Sequence, residues 1–105
     1  MKPSRSYEES LKKALRNPEE ASGYLNAVLE EGDYCMFLIA LRNVAEANGG
    51  MLILSRKTKL SRPNLYRMLS KTGRPEIHSL YKVLQAFGLT LSISPRGHSN
   101  LKKAA

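Results

Sequence analysis

Cysteine is nearly missing from this 105-residue chain, with Cys35 alone, and tryptophan is absent. One thiol builds neither a disulfide framework nor a Cys-rich zinc site. No apolar run approaches the ~18 residues that span a bilayer; the longest, Tyr34 to Leu41, stops at Arg42. The stretch MKPSRSYEES has no apolar core of the secretory-signal kind, so a cytoplasmic, membrane-free location is expected. His78 and His98 stand twenty residues apart without a second ligand at metal-site spacing, so no metal site is expected. Cys35 sits inside the apolar run and reads as a packed thiol rather than a nucleophile. The glutamates come as adjacent pairs such as Glu8-Glu9 and Glu19-Glu20, the pattern of helix first turns rather than of an acid/base site. Gly-rich phosphate loops of either standard spacing are lacking as well. No catalytic residue, cofactor or small-molecule substrate is expected, and the chain does not read as an enzyme.

Acidic residues are scarce in one part of the chain only. Met1 to Asp33 holds five basic and seven acidic residues, whereas Tyr34 to Ala105 holds twelve basic and two acidic ones, Glu46 and Glu76. A net charge of +8 concentrated in this way is the footprint of a polyanion binder. The acidic first third suits a different, basic partner. With 42% hydrophobic and 25% charged residues, the composition is that of one small globular domain.

Local signals divide residues 1–105 into four parts of a single domain. N-terminal helices over 6–48 form a candidate partner-binding part, 50–88 a helix-turn-helix part, 89–94 a strand, and 95–105 a basic tail. Ser6, Asn17, Asp33 and Ser61 are predicted N-caps, with Glu9 and Glu20 completing capping boxes and Gly49-Gly50 closing the third helix near Asn48. Tyr7, Leu11 and Leu15 form the expected inner stripe of the first helix. The third helix is apolar all round from Tyr34 to Leu41, so it either runs through the domain or meets another chain. On the second reading, Met36 and Ile39 are candidate partner contacts.

The most informative stretch runs from Met51 to Lys71. Two short helical patterns are separated by Lys59-Leu60-Ser61, with Leu52, Leu60, Leu65, Met68 and Leu69 available to close a small core. That is a helix-turn-helix pattern, whose second helix enters the DNA major groove. Arg67 falls opposite the apolar stripe, Asn64 on its flank and Arg62 at the N-terminal end, and all three suit base reading: Arg donates two bonds to guanine, and Asn pairs with adenine. Ser61, Tyr66, Lys71 and Arg74 are better placed for phosphates.

Leu89-Thr90-Leu91-Ser92-Ile93-Ser94 alternates apolar and polar, as a half-buried strand does. No second run alternates in this way, so pairing with the same strand of a second copy is expected. Leu89, Leu91 and Ile93 would mediate a homodimer.

Residues 50–94, through LSRPNLYRMLS and HSLYKVLQAFGLTLSI, resemble the helix-turn-helix domain of phage repressors of the Cro and lambda-repressor type. The wider order of YLNAVLEEGD, FLIALRNVAEANGGM, LSRPNLYRMLS and LYKVLQAFGLTLSI resembles the addiction-module antidote proteins, the antitoxins of bacterial toxin–antitoxin pairs. The resemblance implies an all-α, lambda-repressor-like bundle with extra N-terminal helices and one short C-terminal strand for dimer pairing. It implies two partners: a cognate toxin that cleaves mRNA, and a double-stranded DNA operator through which the protein represses its own operon. A stand-alone helix-turn-helix regulator without a toxin is the alternative, and a module that binds acidic protein or RNA is a third reading. Two positions depart from the repressor pattern. Lys59 stands where the turn usually carries Gly, so either it adopts a left-handed conformation or the turn is reshaped. Met51 stands where Gln often contacts a phosphate, a contact for which the resemblance leaves the Gly50 N–H as the candidate.

Overall fold

The structure is a computed structural model that describes residues 5–97, with side chains from Ser6 onward. Of the expected basic tail, residues 98–105 lie outside the described residues. Six helices follow one another: α1 Arg5–Ala14, α2 Pro18–Glu30, α3 Tyr34–Ala47, α4 Gly50–Thr58, α5 Arg62–Met68 and α6 Ile77–Ala86. Among the described residues the chain is all-helical.

Short polar side chains set most of the boundaries. The Asn17 side chain accepts from the backbone N–H groups of Glu19 and Glu20, at 2.8 and 3.2 Å, and Pro18 takes the position where a missing N–H costs nothing. The second half of the expected capping box does not form. The Asn17 N–H instead donates to the Ala14 carbonyl, so Glu20 has nothing to reach back for. Asp33 caps α3 through the Met36 N–H at 3.1 Å. Ser6 caps nothing, because α1 already includes Arg5. Gly49 and Gly50 have φ of +106° and +87°, and through this left-handed pair the chain turns by 97° from α3 into α4.

One core joins the N-terminal helices to the rest. Leu41 and Val44 of α3, Leu65 of α5, Leu69 just beyond it and Val83 of α6 are fully buried at its centre. Leu15, Ala21 and Leu25 pack into the same cluster from the N-terminal side. The stripe of α1 is shorter than expected: Leu15 is buried and Leu11 half-buried, but Tyr7 lies largely outside the core. Polar bonds fasten the ends. Arg16 donates to the Ala47 carbonyl at 3.1 Å, and the Asn48 amide donates to both Leu15 and Val44 carbonyls.

The all-round apolar run splits along its length. Phe37, Leu38, Ala40 and Leu41 are buried, whereas Tyr34 is 71% exposed and Met36 46%. Cys35 is exposed rather than packed, because it belongs to this first turn, which projects beyond the core. Leu52 is likewise exposed, since Met51 and Leu54 are the residues that α4 turns inward.

Residues 89–94 form no strand. A strand is held by a hydrogen-bonded neighbour, and no such ladder exists among the described residues. Instead, the Leu89 N–H donates to the Leu84 carbonyl at 2.9 Å, and the segment runs beside α2. It forms one wall of an open groove of about 430 Å³ whose other side includes Ser22, Leu25, Asn26 and Leu29. Burial does not follow the alternation either: Leu89 is half-buried against the core, but Ile93 is 95% exposed.

Candidate nucleic-acid interface

The turn between α4 and α5 is where local chemistry and charge converge. α4 ends at Thr58, and Lys59 follows with φ +65°, the left-handed conformation that glycine adopts without strain. The chain thus keeps the tight turn despite the lysine. Thr58 holds it from inside. This buried hydroxyl donates to the Leu54 carbonyl at 2.8 Å and accepts the Leu60 N–H at 3.2 Å. Ser55 adds a third tie by donating to the Leu60 carbonyl. Neither Thr58 nor Ser55 was singled out by sequence reasoning. The available signal was a hydroxyl residue in the last turn of a helix, where it bonds back to the carbonyl four residues earlier.

Ser61 then starts α5, its hydroxyl accepting the Asn64 N–H at 3.2 Å. Leu65 and Met68 face the core, which leaves the other side of this seven-residue helix to solvent. Arg67 is exposed there, Arg62 is exposed at the first position of the helix, and Asn64 is half-buried. The Arg67 guanidinium donates from Nη2 to Asn64 Oδ1 at 3.3 Å, so two of the three candidate base readers already form a coupled pair. Ser70 donates to the Arg67 carbonyl at 2.8 Å and closes the end of the helix.

The phosphate candidates surround this face without forming one cluster. Ser61 is the cap itself; Tyr66 is 42% exposed on α5, and Lys71 and Arg74 are exposed in the link to α6. Gly50 is at the opposite end, in the first position of α4, where a backbone N–H has no partner within the helix. Met51 is buried and contributes to the core instead of to this face. Glycine at 73 is required by space: a Cβ there would lie 2.1 Å from the Met68 carbonyl oxygen.

Two features outside these positions add positive charge. Arg42 of α3 lies over the Tyr66 ring, its Cζ 5.0 Å from the ring centroid. Lys57, Lys59 and Lys82 line an open groove of about 350 Å³ between the end of α4 and α6. The stack joins residues 24 positions apart, so no local pattern announced it.

The candidate contacts on the N-terminal side lie on α3, Met36 exposed and Ile39 half-buried. The dimerisation candidates grade outward from Leu89, which is half-buried, to Leu91 and Ile93, which are exposed.

Residues 7–95 match the family described as "probable addiction module antidote protein". A protein of Haemophilus influenzae, described as an uncharacterized protein, is 35% identical over 79 residues, which cover 75% of this chain and 80% of the relative. No solved structure matches the chain. With the matched region running from α1 to the segment beyond α6, this chain belongs to the family of probable addiction module antidote proteins.

Proposed function

We propose that this antitoxin-family chain binds a specific DNA operator and represses its own operon, in addition to neutralising a small mRNA-cleaving toxin. The observation that carries the DNA reading is α5: a Ser61-capped helix, seated on Leu65 and Met68, that exposes Arg62 and Arg67 and leaves Asn64 half-buried beside them. In this reading α4 and α5 act as a helix-turn-helix of the phage-repressor type, with α5 in the major groove. Arg62, Asn64 and Arg67 read base edges, while Gly50, Ser61, Tyr66, Lys71 and Arg74 hold phosphates. The excess of basic residues from Arg42 to Lys82 supplies the attraction to the duplex.

The toxin docks on the N-terminal helices, where the acidic residues of α1 and α2 steer a basic partner and Met36 and Ile39 offer apolar contact. A homodimer forms through residues 89–94, where the absence of a ladder beyond Leu89 among the described residues and the exposed Leu91 and Ile93 suit antiparallel addition of a second copy. That dimer sets two α5 helices one turn of DNA apart, about 34 Å, or a multiple of it. The protein works in the cytoplasm as a binder rather than a catalyst.

The test is a titration of the full chain against a duplex from upstream of its own reading frame and against a scrambled duplex. The expected result is tighter binding to the first, with affinity for both falling steeply as salt rises. Equal, salt-insensitive affinities would refute the DNA reading. Survival of cells that co-express the chain with the toxin-like reading frame next door tests the antitoxin role. Failure to protect them would refute that pairing.

A further inference from the structure

We propose that Arg42 is a nucleic-acid phosphate contact, positioned by stacking on Tyr66, so that the interface extends from α4–α5 onto α3. This rests on the DNA-binding reading above and names a residue outside the two short helices.

The guanidinium is held over the Tyr66 ring, with Cζ 5.0 Å from the centroid, inside the range of a cation–π contact. That contact engages the charge with the ring and takes none of the five N–H donors into a hydrogen bond to an oxygen. No carboxylate pairs with Arg42 among the described residues, and no hydrogen bond from its side chain to another group is formed there. Such a guanidinium fits a phosphate, which accepts two parallel N–H bonds.

Location supports the same conclusion. Tyr66 is half exposed on α5, next to Arg67 and two residues from Asn64, so the guanidinium stacked on it flanks the candidate base-reading face. Arg42 is itself half-buried, which limits the rotamers of a long side chain before any ligand arrives. Holding the guanidinium in advance removes part of the entropy loss of binding. A lysine would keep the charge but lose the paired donors.

A purely structural role, with Arg42 tying α3 to α5, makes a different prediction. Removing such a tie lowers stability or affinity but leaves the number of neutralised phosphates unchanged. Salt dependence therefore separates the two.

The experiment titrates a labelled duplex from upstream of the gene, and a scrambled duplex, with wild type, Arg42→Ala, Arg42→Gln and Arg42→Lys between about 50 and 200 mM salt. Thermal melts establish that each variant is folded, and the two neutral variants guard against one that is not. Arg42→Ala and Arg42→Gln should reduce the slope of log affinity against log salt by about 0.9 for each bound protomer. Over that fourfold salt range the affinity loss then shrinks by about 3.5-fold per protomer. Both duplexes should weaken alike, and Arg42→Lys should keep the wild-type slope. A wild-type slope in folded Arg42→Ala and Arg42→Gln would overturn the inference and leave the DNA reading standing. Absence of salt-dependent duplex binding by the wild type would overturn that reading, and this inference with it.

Discussion

Replacing Thr58 by valine tests how the turn before α5 is held in place. Valine has nearly the shape of threonine but no hydroxyl, so the change deletes two hydrogen bonds with little effect on volume. Thr58 is buried, and its hydroxyl both donates to the Leu54 carbonyl and accepts the Leu60 N–H. The Leu54 carbonyl lies within α4 and keeps its helical backbone bond. The Leu60 amide is half-buried and is left without a partner. Each such bond contributes about 1 kcal/mol net, and stranding a buried donor adds to the loss. The valine methyl returns part of this through apolar burial, so a net destabilisation of about 1.5 kcal/mol is expected. For a domain of this size that lowers Tm by about 6–12 °C. Lys59 should amplify the effect, because its left-handed backbone is strained and persists only while the turn is fastened. Thermal denaturation followed by circular dichroism measures the loss. Duplex titration should show a parallel drop in affinity as α5 loses its fixed angle to α4. A Tm within about 2 °C of wild type would refute the account.

Three further outcomes follow from the same geometry. Arg67→Ala should weaken binding to the cognate duplex by about 1–3 kcal/mol and relax preference at one base pair, whereas Lys71→Ala and Arg74→Ala should weaken all sequences alike; equal losses on cognate and scrambled duplexes would remove Arg67 from the base readers. Leu91→Pro lies outside every helix, so it should fold normally yet lower dimer and operator affinity together. Sedimentation of the wild type as a monomer at micromolar concentration, with unchanged operator binding by the variant, would sink the pairing scheme. Gly73→Ala places a Cβ against the Met68 carbonyl and should cost about 1–3 kcal/mol in urea unfolding; an unchanged midpoint would show that the link relaxes freely.

Much of the helix map was legible because capping is a contact between near neighbours. Asn17, Asp33 and Ser61 each bond to a backbone N–H two or three residues ahead, so a short polar residue before a periodic apolar stretch carries the information by itself. The solvent face of α5 was legible for a similar reason. Once Leu65, Met68 and Leu69 face inward, helical periodicity directs Arg67 the other way, and Arg62 is exposed because it opens the helix. Ser6 misled because it lies inside α1, which already includes Arg5.

Other features depended on what the rest of the chain brought alongside. The run from Tyr34 to Leu41 is apolar on every side, so the sequence does not say how far the neighbouring helices reach along it; they cover Phe37 onward and leave Tyr34, Cys35 and Met36 outside. Alternation from Leu89 to Ser94 describes a segment able to join a sheet, but a ladder needs a second strand, and α2 lies beside this segment instead. The conformation of Lys59 was open between a left-handed residue and a reshaped turn. The bonds of Thr58 and Ser55 across that turn hold it left-handed. The Arg42–Tyr66 stack lay furthest from view, since it joins α3 to α5 across the fold. Caps and periodicity act over three or four residues, and so the sequence alone determined them. Burial, pairing and stacking depend on distances between residues remote in the chain, and only the packed tertiary structure sets those.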